Sequence, residues 1–162
     1  MSNTSLLELA NCIKSNKTLI KLSLSWNKIS DTVGMEICKA LKSNITLTEI
    51  YLDNNYLGEQ FGIQLANVLQ TNYVLYIVDI SNNPISNASG QQILSSLTNY
   101  NESLKSLGNL STNYSINIRT REEIRQVLIA NSLPKELKVN LESVQYNELL
   151  ESASNAKSSV HN

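Results

Sequence analysis

A chain of 162 residues, 41% hydrophobic and 17% charged, has the composition of an ordinary folded domain, which excludes the disordered class. Its 13 basic and 14 acidic residues leave a formal charge of −1, so neither nucleic acid nor an anionic membrane is expected as the main partner. No stretch reaches the roughly 18–20 apolar residues of a spanning helix, and Met1-Ser2-Asn3-Thr4-Ser5-Leu6 lacks the basic-then-apolar pattern of a signal peptide.

Leu6, Leu9, Ala10 and Ile13 recur at three- and four-residue steps and predict a helix over 2–15. Leu9 aligns with Ile37 and Asn16 with Asn44, each 28 residues on. The segment therefore reads as the helical half of a unit whose strand is missing, and 1–18 is expected to be an N-terminal cap. Next comes Leu19-Ile20-Lys21-Leu22-Ser23-Leu24-Ser25-Trp26-Asn27-Lys28-Ile29. It recurs 28 residues on from Leu47 and again from Leu75, as L-x-x-L-x-L-x-x-N-x-L. Each copy predicts a strand (20–24, 48–52, 76–80), a turn at Asn27, Asn55 or Asn83, and a helix (31–43, 59–71, 87–99). These three units fill 19–102. Asp31 is read as the N-cap of the first of those helices. Gly34, Gly62 and Gly90 keep the same spacing, and each is expected to let its helix lie close against the strand layer.

After Tyr100 the phase slips. Leu104-Lys105-Ser106-Leu107 falls 29 residues after its predecessor, and Asn109 or Asn113 stands in for the turn asparagine. A short strand is expected near 105–109. Thr120-Arg121-Glu122-Glu123 has the form of a capping box and predicts a helix to about 131, with Ile124, Val127 and Leu128 inward. A last strand at 137–141 and a helix at 144–150 complete an irregular C-terminal cap over 103–152. One domain is expected over 1–152, and the polar 153–162 is expected to be a disordered tail.

Alternation along each strand turns Leu22, Leu24, Ile50, Leu52, Val78 and Ile80 inward. Asn27, Asn55 and Asn83 read as structural: a side-chain amide there can satisfy backbone groups that water does not reach. The unit continues with Gly-x-x-hydrophobic and closes on Asn-x-Thr-Leu (Asn44-Ile45-Thr46-Leu47). As a whole it resembles the ribonuclease-inhibitor-like leucine-rich repeats. That resemblance implies an α/β fold: a right-handed β-α solenoid, a short horseshoe with a concave parallel sheet and outer helices. The family includes ribonuclease inhibitor, sensor regions of immune receptors, the GTPase-activating protein of Ran and the C-terminal domain of tropomodulin. They share a habit of binding proteins, so the resemblance implies a binding module and no single activity. Small versions that intracellular bacteria deliver into host cells look similar. The expected location is the cytoplasm, that of the host for a delivered effector.

The outward strand positions form columns: Lys21, Glu49, Ile77; Ser23, Tyr51, Asp79; Ser25, Asp53, Ser81; and Trp26, Asn54, Asn82. The core needs none of them. Trp26 and Tyr51 are residue types that dominate binding hot spots, and Ile77 extends them into an apolar strip edged by Glu49, Asp53 and Asp79. The expected partner is a protein surface with Lys or Arg around an apolar knob, gripped by Trp26, Tyr51, Asp53, Ile77, Asp79, Glu49, Lys21, Ser23, Asn54 and Asn82. Lys28, Tyr56, Glu59 and Phe61 mark a secondary surface on the loops after the strands, with Phe61 read as core. Inhibition of an enzyme is one form such binding could take. Pairing through the exposed edge of the first strand, with a second copy or with the rest of a longer array, is the alternative.

Catalysis and cofactors are not expected. His161 is the sole histidine and lies in the tail, so it supports no histidine-dependent triad or metal site. Asp53 and Asp79 make a poor cation site on their own. Cys12 and Cys38 fall in small-residue columns and are expected as buried, inert thiols of a reducing compartment. Arg119, Arg121 and Arg125 read as a solvated helix face, and Asn16-Lys17-Thr18 as a chance glycosylation triplet.

Overall fold

The computed structural model describes residues 3–134. The strand expected at 137–141, the helix at 144–150, the tail at 153–162 and His161 lie outside the described residues. The chain divides into two compact units, Met1–Asn131 and Ser132–Asn162, and the architecture below belongs to the first. In chain order the elements are α1 (Asn3–Ser15), β1 (Lys21–Ser23), α2 (Asp31–Ser43), β2 (Glu49–Tyr51), α3 (Glu59–Leu69), β3 (Ile77–Asp79), α4 (Asn87–Asn99), a 3-10 turn (Leu110–Thr112) and α5 (Ile118–Ser132). Among the described residues no helix is long and apolar enough to cross a membrane.

The expected leucine-rich-repeat solenoid is corrected by this architecture. Among the described residues what forms is five helices with a small parallel sheet in the order β1-β2-β3, each strand three residues long. Two features keep the strands short. At their starts, the carbonyls of Ile20 and Thr48 each accept from two successive N–H groups of the next unit. At their ends, Trp26, Asn54 and Asn82 take left-handed backbone (φ 63°, 55° and 52°), which no strand continues through. The strand expected at 105–109 is reduced to one bridge, Ser106 to Ile77. Backbone bonds from Val78 and Ile80 to Ser106 and Leu107 hold this run beside β3 until Gly108, at φ 77°, turns the chain away.

The core lies between sheet and helices. Leu24, Ile50, Leu52, Val78 and Ile80 are buried, while Leu22 is half-buried because β1 is an edge strand. From the helices come Val33, Ile37 and Leu41, then Phe61, Leu65 and Leu69, then Ile93 and Leu97, then Ile124 and Leu128. Each such side chain contributes roughly 1.5–3 kcal/mol.

Two asparagine ladders tie the units together. In the first, Asn55 Nδ2 donates to the carbonyls of Leu24, Leu52 and Asp53 at 3.0, 2.9 and 3.1 Å. Its Oδ1 accepts from the N–H groups of Asn27 and Ile29 at 3.0 and 2.9 Å. Asn83 repeats the arrangement on Leu52, Ile80 and Ser81, and Asn113, not Asn109, takes the fourth place with a bond to Ile80 O. Asn27, at the edge, donates to Ser25 O alone. The second ladder runs along the helix ends and was not foreseen from the sequence. Asn44, Asn72 and Asn101 donate to the carbonyls of Ile13, Leu41 and Leu69 in the last turns of α1, α2 and α3. Asn131 donates to the carbonyl of Asn101.

Four local expectations change. Asp31 does not cap α2, whose N-cap is Ser30. Its carboxylate instead accepts from the N–H groups of Gly58, Gln60 and Phe61 at 2.6, 3.3 and 3.2 Å, capping α3 one unit on. Helix α5 opens at Ile118 with Asn117 Oδ1 accepting from Thr120 N at 2.8 Å, so the cap is Asn117 and Thr120 is buried. A Cβ on Gly62 would meet Ser89 Oγ at 2.6 Å and Cβ at 2.7 Å, so this glycine admits the next helix and not the strand layer. Cys38 is buried, and burial pushes its thiol pKa up. Cys12 is exposed, because α1, at the end of the helix row, has α2 as its main neighbour.

Candidate functional site

The parallel register sets Lys21 opposite Glu49 opposite Ile77, and Ser23 opposite Tyr51 opposite Asp79. Lys21 Nζ lies 2.7 Å from Glu49 Oε1, and the Tyr51 hydroxyl donates to Glu49 Oε2 at 2.8 Å. The hydrogen bond from Lys21, then that from Tyr51, hold the Glu49 carboxyl below the usual glutamate range. The same contacts raise Lys21 and Tyr51, in each case first through the hydrogen bond to Glu49. A depressed carboxyl favours the fold above its ordinary pKa, and the contribution is lost as pH falls through the lowered folded value. In a carbon-detected NMR titration, Glu49 is expected to titrate below an ordinary glutamate. Its midpoint should rise in Lys21→Met and by less in Tyr51→Phe; an unmoved midpoint in Lys21→Met would refute the pairing.

Further along the strands, Asp53 accepts from Ser25 Oγ at 2.5 Å and from Asn54 Nδ2 at 2.6 Å. Asp79 accepts from its near neighbour Ser81, through N at 2.9 Å and Oγ at 2.6 Å. Neither aspartate has a cation partner among the described residues. Nor does any group of three potential metal ligands form there. Ser23 and Ser25 share a hydroxyl contact at 3.1 Å. Ile77 and Tyr51 are half-buried and Ser81 is buried.

Trp26, Asn54 and Asn82 are the three left-handed positions of one column. Asn82 Nδ2 donates to Asn54 Oδ1 at 3.0 Å, and Asn82 N donates to Thr112 Oγ1 at 2.9 Å. Asparagine suits this backbone; a bulky residue is a strained occupant. Trp26 nevertheless stands there with 76% of its surface exposed. In the secondary surface, Lys28, Tyr56 and Glu59 are exposed and Phe61 is fully buried.

Sequence reasoning missed the residues that finish this face beyond β3. Gly108 packs so tightly on Asp79 and Ser81 that a Cβ would collide with both. Asn109 N donates to Ser81 Oγ at 2.6 Å. The signal was present in Asn113, whose place in the ladder reveals the register, but the two extra residues before it obscured the alignment. The arginines engage their own surroundings: Arg119 with Glu123, Arg125 with Glu122, and Arg121 with Ser111 O.

No family model and no curated protein matches the sequence. Solved structures do match the fold. The domain described as leiomodin-1 actin-binding site 2 aligns with a TM-score of 0.70 at 20% identity, over 96% of this chain and 83% of that one. The tropomodulin C-terminal domain of Caenorhabditis elegans aligns with a TM-score of 0.58 at 14% identity, over 90% of this chain and 99% of that one. The resemblance to ribonuclease-inhibitor-like repeats is corrected accordingly: of the proteins named with it, the fold matched is that of the tropomodulin C-terminal domain, with that of the leiomodin domain.

Proposed function

We propose that this chain is a non-catalytic module that binds another protein through the outward face of β1–β3, with Trp26 as its principal anchor. The observation that carries the reading is Trp26 itself, a highly exposed tryptophan in a left-handed position that the next two units give to asparagine. A residue kept where it strains the backbone and adds nothing to the core is accounted for by contact outside the chain. Tyr51, Ile77 and Asn82 extend the contact. Asp53 and Asp79, lacking a cation, favour a partner that brings lysine or arginine. The fold likeness to a leiomodin actin-binding site makes actin the first partner to test. The enzyme-inhibitor variant is not carried further, since the fold likeness is to an actin-binding site.

The test is co-sedimentation and pull-down with actin. Trp26→Ala combined with Tyr51→Ala is expected to abolish capture while leaving the melting temperature within a few degrees of the parent. Undiminished capture by that variant would move the contact to another face. A second reading has one observation behind it: among the described residues β1 is paired on one side only, an edge to which a second copy would add.

A further inference from the structure

The first asparagine ladder fixes a second row of side chains, one residue beyond each asparagine: Lys28, Tyr56, Pro84 and Tyr114. Asn55, Asn83 and Asn113 are bonded each to the unit before, so these positions stand in register despite the longer last step. Tyr56 is 61% and Tyr114 86% exposed, and Pro84 between them is exposed as well. Trp26 closes the neighbouring row. The phenolic groups of Tyr56 and Tyr114 and the Trp26 indole N–H have no hydrogen-bond partner among the described residues, whereas Tyr51 and Tyr73 bond internally.

We infer that this rim docks an extended, proline-rich segment carrying a basic residue, a deepening that rests on the protein-binding reading above. Three features point to that ligand. Tyr56 and Tyr114 follow ladder asparagines two units apart, roughly 10 Å at the usual spacing of paired strands. One turn of polyproline II advances roughly 9.3 Å, so successive turns meet successive tyrosines with Pro84 between them. A polyproline II backbone has no internal hydrogen bonds, and its outward carbonyls suit the unpartnered donors on the three aromatic tips. The outward strand face holds Asp53 and Asp79 without cation partners among the described residues, a complement for arginine in the ligand.

The probe is a short blocked peptide of Pro-Pro-Leu repeats with terminal arginines, titrated into the isotope-labelled full chain. Shifts are expected at Tyr56, Tyr114 and the Trp26 indole, weakening as salt rises. Tyr56→Ala with Tyr114→Ala should reduce affinity at least about tenfold, by loss of stacking and carbonyl contacts. A version of the peptide with alanine for proline should not bind. Both tyrosines are exposed, and an unchanged melting curve will show that the variant folds. Absence of rim shifts, equal binding of the alanine peptide or full affinity of the double variant would each overturn the inference. Failure with this peptide alongside Trp26-dependent actin capture overturns this inference alone. Rim binding without actin capture overturns only the choice of actin.

Discussion

Replacing Asn55 with aspartate is expected to cost about 3–5 kcal/mol of stability, the range for a buried charge left without a partner. The new carboxylate could still accept from Asn27 and Ile29, the bonds Oδ1 makes now. Its second oxygen would replace the donor that serves Leu24, Leu52 and Asp53, setting negative charge about 3 Å from three carbonyl oxygens. Domains of this size have only about 5–15 kcal/mol in total. The fold would answer partly by keeping that carboxyl protonated, raising its pKa, so the deficit shrinks as pH falls through the raised value. Asn27→Asp should cost only about 1 kcal/mol, because that side chain is half-buried and donates one bond. Urea unfolding of parent and variants at neutral and mildly acidic pH measures both differences. Equal midpoints for Asn55→Asp and the parent would refute the ladder's role.

Trp26→Asn should separate stability from binding. Left-handed backbone costs an ordinary residue roughly 1–2 kcal/mol and asparagine much less, so the variant is expected to melt higher than the parent. It also matches what Asn54 and Asn82 show the site prefers. Loss of an exposed tryptophan anchor should weaken partner binding by at least 2 kcal/mol, about 30-fold. A residue that served only packing would move stability the other way. A melting temperature that falls with unchanged affinity would remove Trp26 from the contact.

The sequence displayed the 28-residue period, the inward leucines and the outward columns, because parallel pairing at a fixed period carries one residue onto the next. Strand length was hidden. Nothing in an apolar pattern announces that Trp26, a poor residue for it, adopts left-handed backbone. Asp31 looked like a local cap because the sequence shows its own helix start and not the α3 start one unit away. The wider assignment failed for a related reason: leucines and asparagines define a unit, while neighbouring units and the turn at Gly108 decide what it builds. The rim tyrosine Tyr114 stayed invisible until Asn113 was seen bonded to Ile80, since the last step is two residues longer than the period.

Trp26 is the sole tryptophan, so one indole resonance reports on it without ambiguity. Following that resonance while unlabelled monomeric actin is added tests the protein-binding claim most directly. The signal is expected to shift and saturate together with those of Tyr51 and Asn82. A complex that forms while the indole stays unmoved would contradict it, and no complex at all would overturn the choice of actin.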